Sequence, residues 1–162
     1  TFDSTRGFPG EGPKQLVVTT ANITSAGSIK QLDLDRSSLW CIQEHRLTDE
    51  NTTAIRYTLK NQGWCTYMAP SLATTTSTSG RVGFIWQPNI TLACEPQSLV
   101  KGRLALIIIK TARWGNINIC SLYGHTGNKS ATMNTKLFEY LMGHAMVSKN
   151  LFAGGGDWNI GL

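Results

Sequence analysis

The chain has 162 residues, 41% of them hydrophobic and 15% charged, with a formal net charge of +5. That length suits a single domain with a real core. The composition argues against a disordered chain, and no apolar run approaches the roughly 18 residues that a membrane-spanning helix needs. The charge excludes little, because Lys and Arg are scattered without a block of one sign, as on a mildly basic solvated surface.

Residues 1–14 hold three Gly and two Pro before any periodic pattern, and read as a flexible arm ahead of one domain over 15–162. Residues 15–21 form the first strand candidate. A short helix is expected over 28–34, with Ser25 or Ser28 available as its cap. Residues 39–43 are a compact strand ending at Glu44. Thr48, followed by Asp49 and Glu50, reads as the start of a helix whose apolar stripe is Ile55 and Leu59 and whose stop is Gly63. Residues 64–69 suggest another strand, and the Ser/Thr/Gly tract over 73–80 a loop.

Four strand candidates follow, over 82–86, 90–95, 104–110 and 117–123, with turns at 87–89 and 113–115. Residues 132–148 carry Leu137, Leu141 and Ala145 on one face with Phe138, Met142 and Met146 beside it, the pattern of a largely buried helix. A last strand over 151–153 runs into Gly154-Gly155-Gly156-Asp157-Trp158-Asn159. This order predicts an α/β fold with a mixed sheet of about six to eight strands and helices on one face. The opposite face of such apolar strands should not stay bare, so either another sheet is missing from this chain or protein subunits cover it.

Cys41, Cys65, Cys94 and Cys120 include no C-x-x-C pair and no His at metal-like spacing. Cys41 and Cys120 lie in apolar strand-like runs, where a free Cys acts as a small hydrophobe, which suits a reducing intracellular compartment. Sequons at Asn22, Asn51, Asn89 and Asn128 say little in a Thr-rich chain. The glycines at 154–156 are not a phosphate loop, since no Lys-Ser/Thr follows them.

Polar residues recur at strand ends. Asn22 follows the first strand and Glu44 the second, Tyr123 closes the strand before the long helix, and Asp157 and Asn159 close the chain's last strand. Ligands in open α/β sheets gather at the carboxyl ends of strands. Glu44 suits a hard cation such as Mg²⁺, Asp157 could orient or deprotonate a water, and Asn22, Asn159 and the Tyr123 hydroxyl could bind phosphate oxygens. The same residues have plainer readings. Glu44 is placed to cap the following helix, Asp157 and Asn159 are turn formers, and a strand-end Tyr is often half-buried core.

Thr20-Ala21-Asn22-Ile23-Thr24, Ile42-Gln43-Glu44-His45-Arg46-Leu47, Ser79-Gly80-Arg81-Val82-Gly83, Asn118-Ile119-Cys120-Ser121-Leu122-Tyr123 and Gly156-Asp157-Trp158-Asn159 stand in one order along the chain. Together they resemble the motif series of the exonuclease–endonuclease–phosphatase (DNase I-like) superfamily. Gln43-Glu44-His45-Arg46-Leu47 and Lys101-Gly102-Arg103-Leu104 are most similar to endonuclease domains of non-LTR retrotransposon type. The resemblance implies the N-terminal half of a four-layer α/β sandwich, and phosphoester hydrolysis with Mg²⁺ or Mn²⁺. It implies Glu44 as metal ligand and Asn22, Tyr123, Asp157 and Asn159 as catalytic residues, acting on nucleic acid.

The chain departs from that pattern. The family's closing Ser-Asp-His motif has no counterpart before Leu162, and His45, His125 and His144 lack its context. His125 stands where the family often has Pro. Catalytic groups act as a unit, so this chain is expected to be inactive alone. The alternative expectation is a catalytically dead copy, retained as a structural subunit of a larger complex.

Overall fold

The computed structural model describes residues 15–23, 26–43, 49–69, 72–73, 78–79, 81–128 and 130–159. The expected arm over 1–14 and Glu44 with its flanking residues lie outside them.

Among the described residues ten strands and three α-helices follow one another in the order β1 (Val18–Asn22), α1 (Ala26–Lys30), β2 (Leu39–Gln43), α2 (Asp49–Asn61), β3 (Cys65–Met68), β4 (Leu72–Ala73), β5 (Thr78–Ser79), β6 (Val82–Trp86), β7 (Gln97–Val100), β8 (Leu104–Thr111), β9 (Gly115–Tyr123), α3 (Ser130–Val147) and β10 (Leu151–Asp157). A 3-10 turn at Leu34–Arg36 precedes β2. The strands build two mixed four-stranded sheets, β1-β2-β6-β3 and β10-β9-β8-β7, plus the small ladder β4-β5. β1 is parallel to β2 and β10 to β9, and the remaining pairs are antiparallel.

Side-chain alternation explains the packing. Leu39 and Cys41 of β2 and Val82, Phe84 and Trp86 of β6 share one core with Ala105, Ile107 and Ile109 of β8 and Ile117, Ile119 and Tyr123 of β9. The intervening residues face the other way. Trp40, Ile42 and Ile85 meet Ile29 of α1 and Ile55 and Leu59 of α2. Leu104, Cys120 and Leu122 meet Leu137 and Leu141 of α3. The layers are therefore helix, sheet, sheet, helix. Each sheet carries helical packing on its outer face, in the α/β partial sandwich that the family resemblance implies, whereas the strand order alone suggests one mixed sheet of about six to eight strands.

The sheet expected to be missing is present. The chain folds its own second sheet over the first, because both have an apolar inner side, and that sheet covers the face.

Several elements differ in detail from the sequence reading. The strand expected over 90–95 is a single bridge, Leu92 to Ile109, flanked by bonds from Ala93 N to Ile108 O (2.8 Å) and from Lys110 N to Thr91 O (2.8 Å). Pro96, which has no N–H to offer a ladder, separates it from the true strand at Gln97–Val100. The tract over 73–80 contributes to the β4-β5 ladder. Helix α3 is not largely buried. Only Leu137 and Leu141 are, while Phe138, Met142 and Met146 are exposed, since a helix lying on a sheet buries one stripe. α2 does stop as expected: Gly63 takes φ +85°, Gly63 N bonds Lys60 O and Trp64 N bonds Leu59 O.

β10 runs four residues beyond the expected 151–153, straight through its glycines. A Cβ on Gly154 would meet Cys120 Sγ, and one on Gly156 the Leu122 carbonyl. These glycines permit close approach to β9 rather than a turn. Among the described residues no helix is long and apolar enough to cross a membrane.

Candidate functional site at the ends of β1, β9 and β10

β1 and β10 are the outermost strands of their sheets on the same side of the sandwich, and they face one another: a Cβ on Gly155 would lie 3.0 Å from Thr20 Cβ. Beneath their carboxyl ends the inner core turns polar. Thr20 Oγ1 donates to Gln43 Oε1 (2.8 Å), Gln43 Nε2 donates to Ser121 Oγ (3.0 Å), and Ser121 Oγ donates to Ile42 O (3.0 Å). Gln43 and Ser121 are fully buried, so this relay holds the two sheets in register where unmatched polar groups would be costly.

Above the relay, Asn22 Nδ2 donates to Asp157 Oδ2 at 2.7 Å, in contact with solvent. The other Asp157 oxygen, Oδ1, accepts the Asn159 N–H at 3.1 Å. Asn159 sits at φ 45°, a left-handed backbone that Asn tolerates better than most residues. That turn sends its Nδ2 to the Gly124 carbonyl at 3.0 Å. Tyr123 pairs with Asp157 in the β9–β10 ladder, so both side chains stand on the inner face. Its ring is mostly buried in the core between the sheets.

The sequence-derived set thus divides. Asn22, Asp157 and Asn159 form one continuous hydrogen-bonded group, and Tyr123 stands beside it. Glu44 lies outside the described residues, although its neighbour Gln43 is the β2 partner of Asn22. Asp157 and Asn159 also behave as turn formers, since Asp157 Oδ1 accepts the N–H two residues on and Asn159 takes a positive φ, while the other Asp157 oxygen reaches across to the other sheet.

Other residues at the site went unassigned in the sequence. Arg103 is buried and donates from Nη1 to the Gly124 carbonyl at 2.9 Å, the same oxygen that Asn159 uses. Its guanidinium carbon lies 4.9 Å from the Tyr123 ring centre, a cation–π contact. A cation one residue before an apolar strand was the available signal for it. Asn134, on α3, bonds the loop after β9 and carries no sequence signal at all. Burial, and after it the Arg103 charge, lowers the His125 pKa from the ordinary imidazole value. This favours the neutral ring.

The arrangement offers one carboxylate, two neutral amides and a buried guanidinium. Asp157 is a carboxylate at the mouth, Asn22 and Asn159 are neutral amides that neither repel nor protonate a phosphate, and Arg103 supplies positive charge from below. Among the described residues there is no group of three or more His, Cys, Asp or Glu that could hold a metal ion. The oxygen donors of Asp157 and Asn22 fit Mg²⁺ or Mn²⁺ in type, as one carboxylate and one amide.

Solved structures share this architecture. The human Nocturnin catalytic domain with bound sulfate matches with a TM-score of 0.60 at 12% identity, covering 82% of this chain and 55% of that one. ANGEL2, a 2′,3′-cyclic phosphatase, matches at 0.66 and 12%, covering 89% and 52%. The endonuclease domain of TRAS1, a telomere-specific non-LTR retrotransposon, matches at 0.57 and 17%, covering 91% and 61%.

The chain has the exonuclease–endonuclease–phosphatase fold.

The chain spans only about half to three fifths of the length of these three structures. No family model and no curated protein sequence matches it.

Proposed function

We propose that this chain is the phosphate- and cation-binding part of a metal-dependent phosphodiesterase acting on nucleic acid, with no useful turnover of its own. The observation that carries the reading is the contact between Asn22 and Asp157, which joins the ends of strands from different sheets in the place where the motif series puts its chemistry. The fold and the net charge of +5 support a polyanionic ligand.

In this reading Asp157 faces the water or the cation, and Asn22 fixes its orientation through Oδ2 while the Asn159 N–H fixes Oδ1. The Asn22 and Asn159 amides and the Tyr123 hydroxyl contact phosphate oxygens, and Arg103 holds Tyr123 and Gly124 in place from beneath. Mg²⁺ or Mn²⁺, held by Asp157, Asn22 and Glu44, would supply Lewis-acid charge stabilisation. What supports inactivity is that, among the described residues, Asp157 is the one carboxylate in the hydrogen-bonded group, and an amide is no general base.

Two assays on the same protein test this. An oligonucleotide should bind more tightly with Mg²⁺ than without, and Asp157→Ala and Glu44→Ala should abolish that gain, while supercoiled plasmid stays un-nicked. Nicking that disappears in both variants would keep the site and overturn the inactivity. Binding indifferent to Mg²⁺ and to both substitutions would overturn the reading itself.

A further inference from the structure

The loops that leave β9 and β10 begin directly after Tyr123 and Asp157 and carry Asn159 beyond the sheet, where no ladder holds it. Asn134 bonds both. The His125 N–H donates to Asn134 Oδ1 at 2.6 Å, and Asn134 Nδ2 donates to the His125 carbonyl at 3.0 Å and to the Trp158 carbonyl at 3.4 Å. The donor and acceptor pattern fixes the amide's orientation, because a backbone N–H can only donate and a carbonyl can only accept. His125 is two residues past Tyr123, and Trp158 lies between Asp157 and Asn159.

The loops also touch where Asn134 grips them. A Cβ on Gly124 would run into the Trp158 carbonyl and lie 3.3 Å from Asn134 Oδ1. Gly124 N in turn donates to Asp157 O at 2.7 Å. Asn134 is itself well anchored, since Leu137 and Leu141, three and seven positions on, are the buried stripe of α3.

We infer that Asn134 is a positioning residue: from α3 it clamps the loop after β9 to the loop after β10, and so sets where Tyr123 and Asn159 meet a phosphoryl group. The inference rests on the proposed function for its ligand, though not for its geometry. His125 has an N–H that must find an acceptor in a partly buried loop, and Asn134 supplies it together with two donations in return. Asn159 is then held from two sides. Its backbone neighbour Trp158 is tied to Asn134, and its side chain to the Gly124 carbonyl.

The far end of α3 provides a control. There Asn118 Nδ2 donates to Ser148 Oγ (2.9 Å) and Asn150 Nδ2 donates to Asn118 Oδ1 (2.9 Å), an amide network of similar size that does not contact the site loops.

The test is a titration with inorganic phosphate in the presence of Mg²⁺, followed by NMR on the side-chain amides of Asn22 and Asn159. Asn134→Ala should weaken phosphate by about tenfold, and Asn150→Ala should leave it within about twofold of wild type. Asn134→Asp keeps the volume and the acceptor but loses both donations. It should weaken phosphate several-fold, and it decides the matter if the Ala variant does not fold. Wild-type affinity in the Asn134 variants, or an equal loss in Asn150→Ala, would overturn the inference while leaving the function intact. If wild type itself fails to bind phosphate, the proposed function falls and the clamp is judged on amide exchange. Faster exchange at the His125 N–H with a moved Asn159 amide signal in Asn134→Ala supports it, and unchanged exchange overturns it.

Discussion

Gln43 donates from Nε2 to Ser121 Oγ at 3.0 Å across the interface between the two sheets, in a region both side chains share with almost no solvent. Gln43 also receives the Thr20 hydroxyl, and Ser121 passes its own proton to the Ile42 carbonyl. Gln43→Met keeps the volume but leaves Thr20 and Ser121 each short of a partner, and should destabilise the fold by about 1–3 kcal/mol. The double variant with Ser121→Ala should cost less than the sum of the two singles, by on the order of 1 kcal/mol. Urea unfolding of the four proteins checks this.

The glycines of β10 should differ in tolerance. At Gly156 an added methyl meets the Leu122 backbone carbonyl, which is fixed in the β9 ladder, and Gly156→Ala should cost about 1–3 kcal/mol. At Gly155 the nearest atom is Thr20 Cβ at 3.0 Å, on an edge strand that can yield, so Gly155→Ala should cost less. Thermal midpoints of the two variants give the order directly.

The thiols predict a loss of stability in alkali. Burial pushes the Cys120 thiol up to about 11, and Cys41 rises as well, through burial and then its proximity to Cys120. Unfolded thiols ionise near about 8.5. Above that value the unfolded chain gives up protons that the folded chain keeps, so stability falls with rising pH, up to about 1.4 kcal/mol per pH unit for each such thiol. The fall should begin near pH 8.5 and, for Cys120, cease near 11. Unfolding free energies at pH 8, 9 and 10 should decline less steeply in Cys120→Ala. Exposed Cys94 should react first with a thiol reagent, and Cys41 and Cys120 only on unfolding.

Much of the fold was legible because its signals are local. Short apolar runs bounded by turn residues marked β6, β8 and β9, and Ile55, Leu59 and Gly63 marked α2 and its end. The partition into two sheets was not legible, since an apolar strand declares that its faces are covered and not what lies against them. β10 was cut short because Gly usually signals a turn, and the crowding by Cys120 and Leu122 that makes these glycines strand residues is a tertiary fact. Among the site residues, Asn22, Asp157 and Asn159 were readable as polar groups ending apolar runs. Arg103 offered only a cation before an apolar strand, and Asn134 offered nothing, because both act through carbonyl oxygens, and backbone acceptors leave no mark in a sequence.

Removing either half of the pair at the mouth should have the same effect as removing both. Asn22→Ala frees the Asp157 carboxylate to turn, and Asp157→Ala removes the group being oriented. Loss of Mg²⁺-dependent oligonucleotide binding in Asn22→Ala, Asp157→Ala and the double variant should therefore be non-additive, with a coupling of about 0.5–3 kcal/mol. Binding isotherms at one fixed salt concentration measure it.

If the linked ends of β1 and β10 form the proposed cation site, substoichiometric Mn²⁺ should reveal it by paramagnetic broadening. Signals of Asn22, Asp157 and Asn159 should broaden first, with those of Asp33, Asp35 and Glu139 little changed, and an excess of Mg²⁺ should restore them. Broadening confined to Asp33, Asp35 or Glu139, with Asn22 and Asp157 sharp throughout, would rule out a cation site between these strand ends.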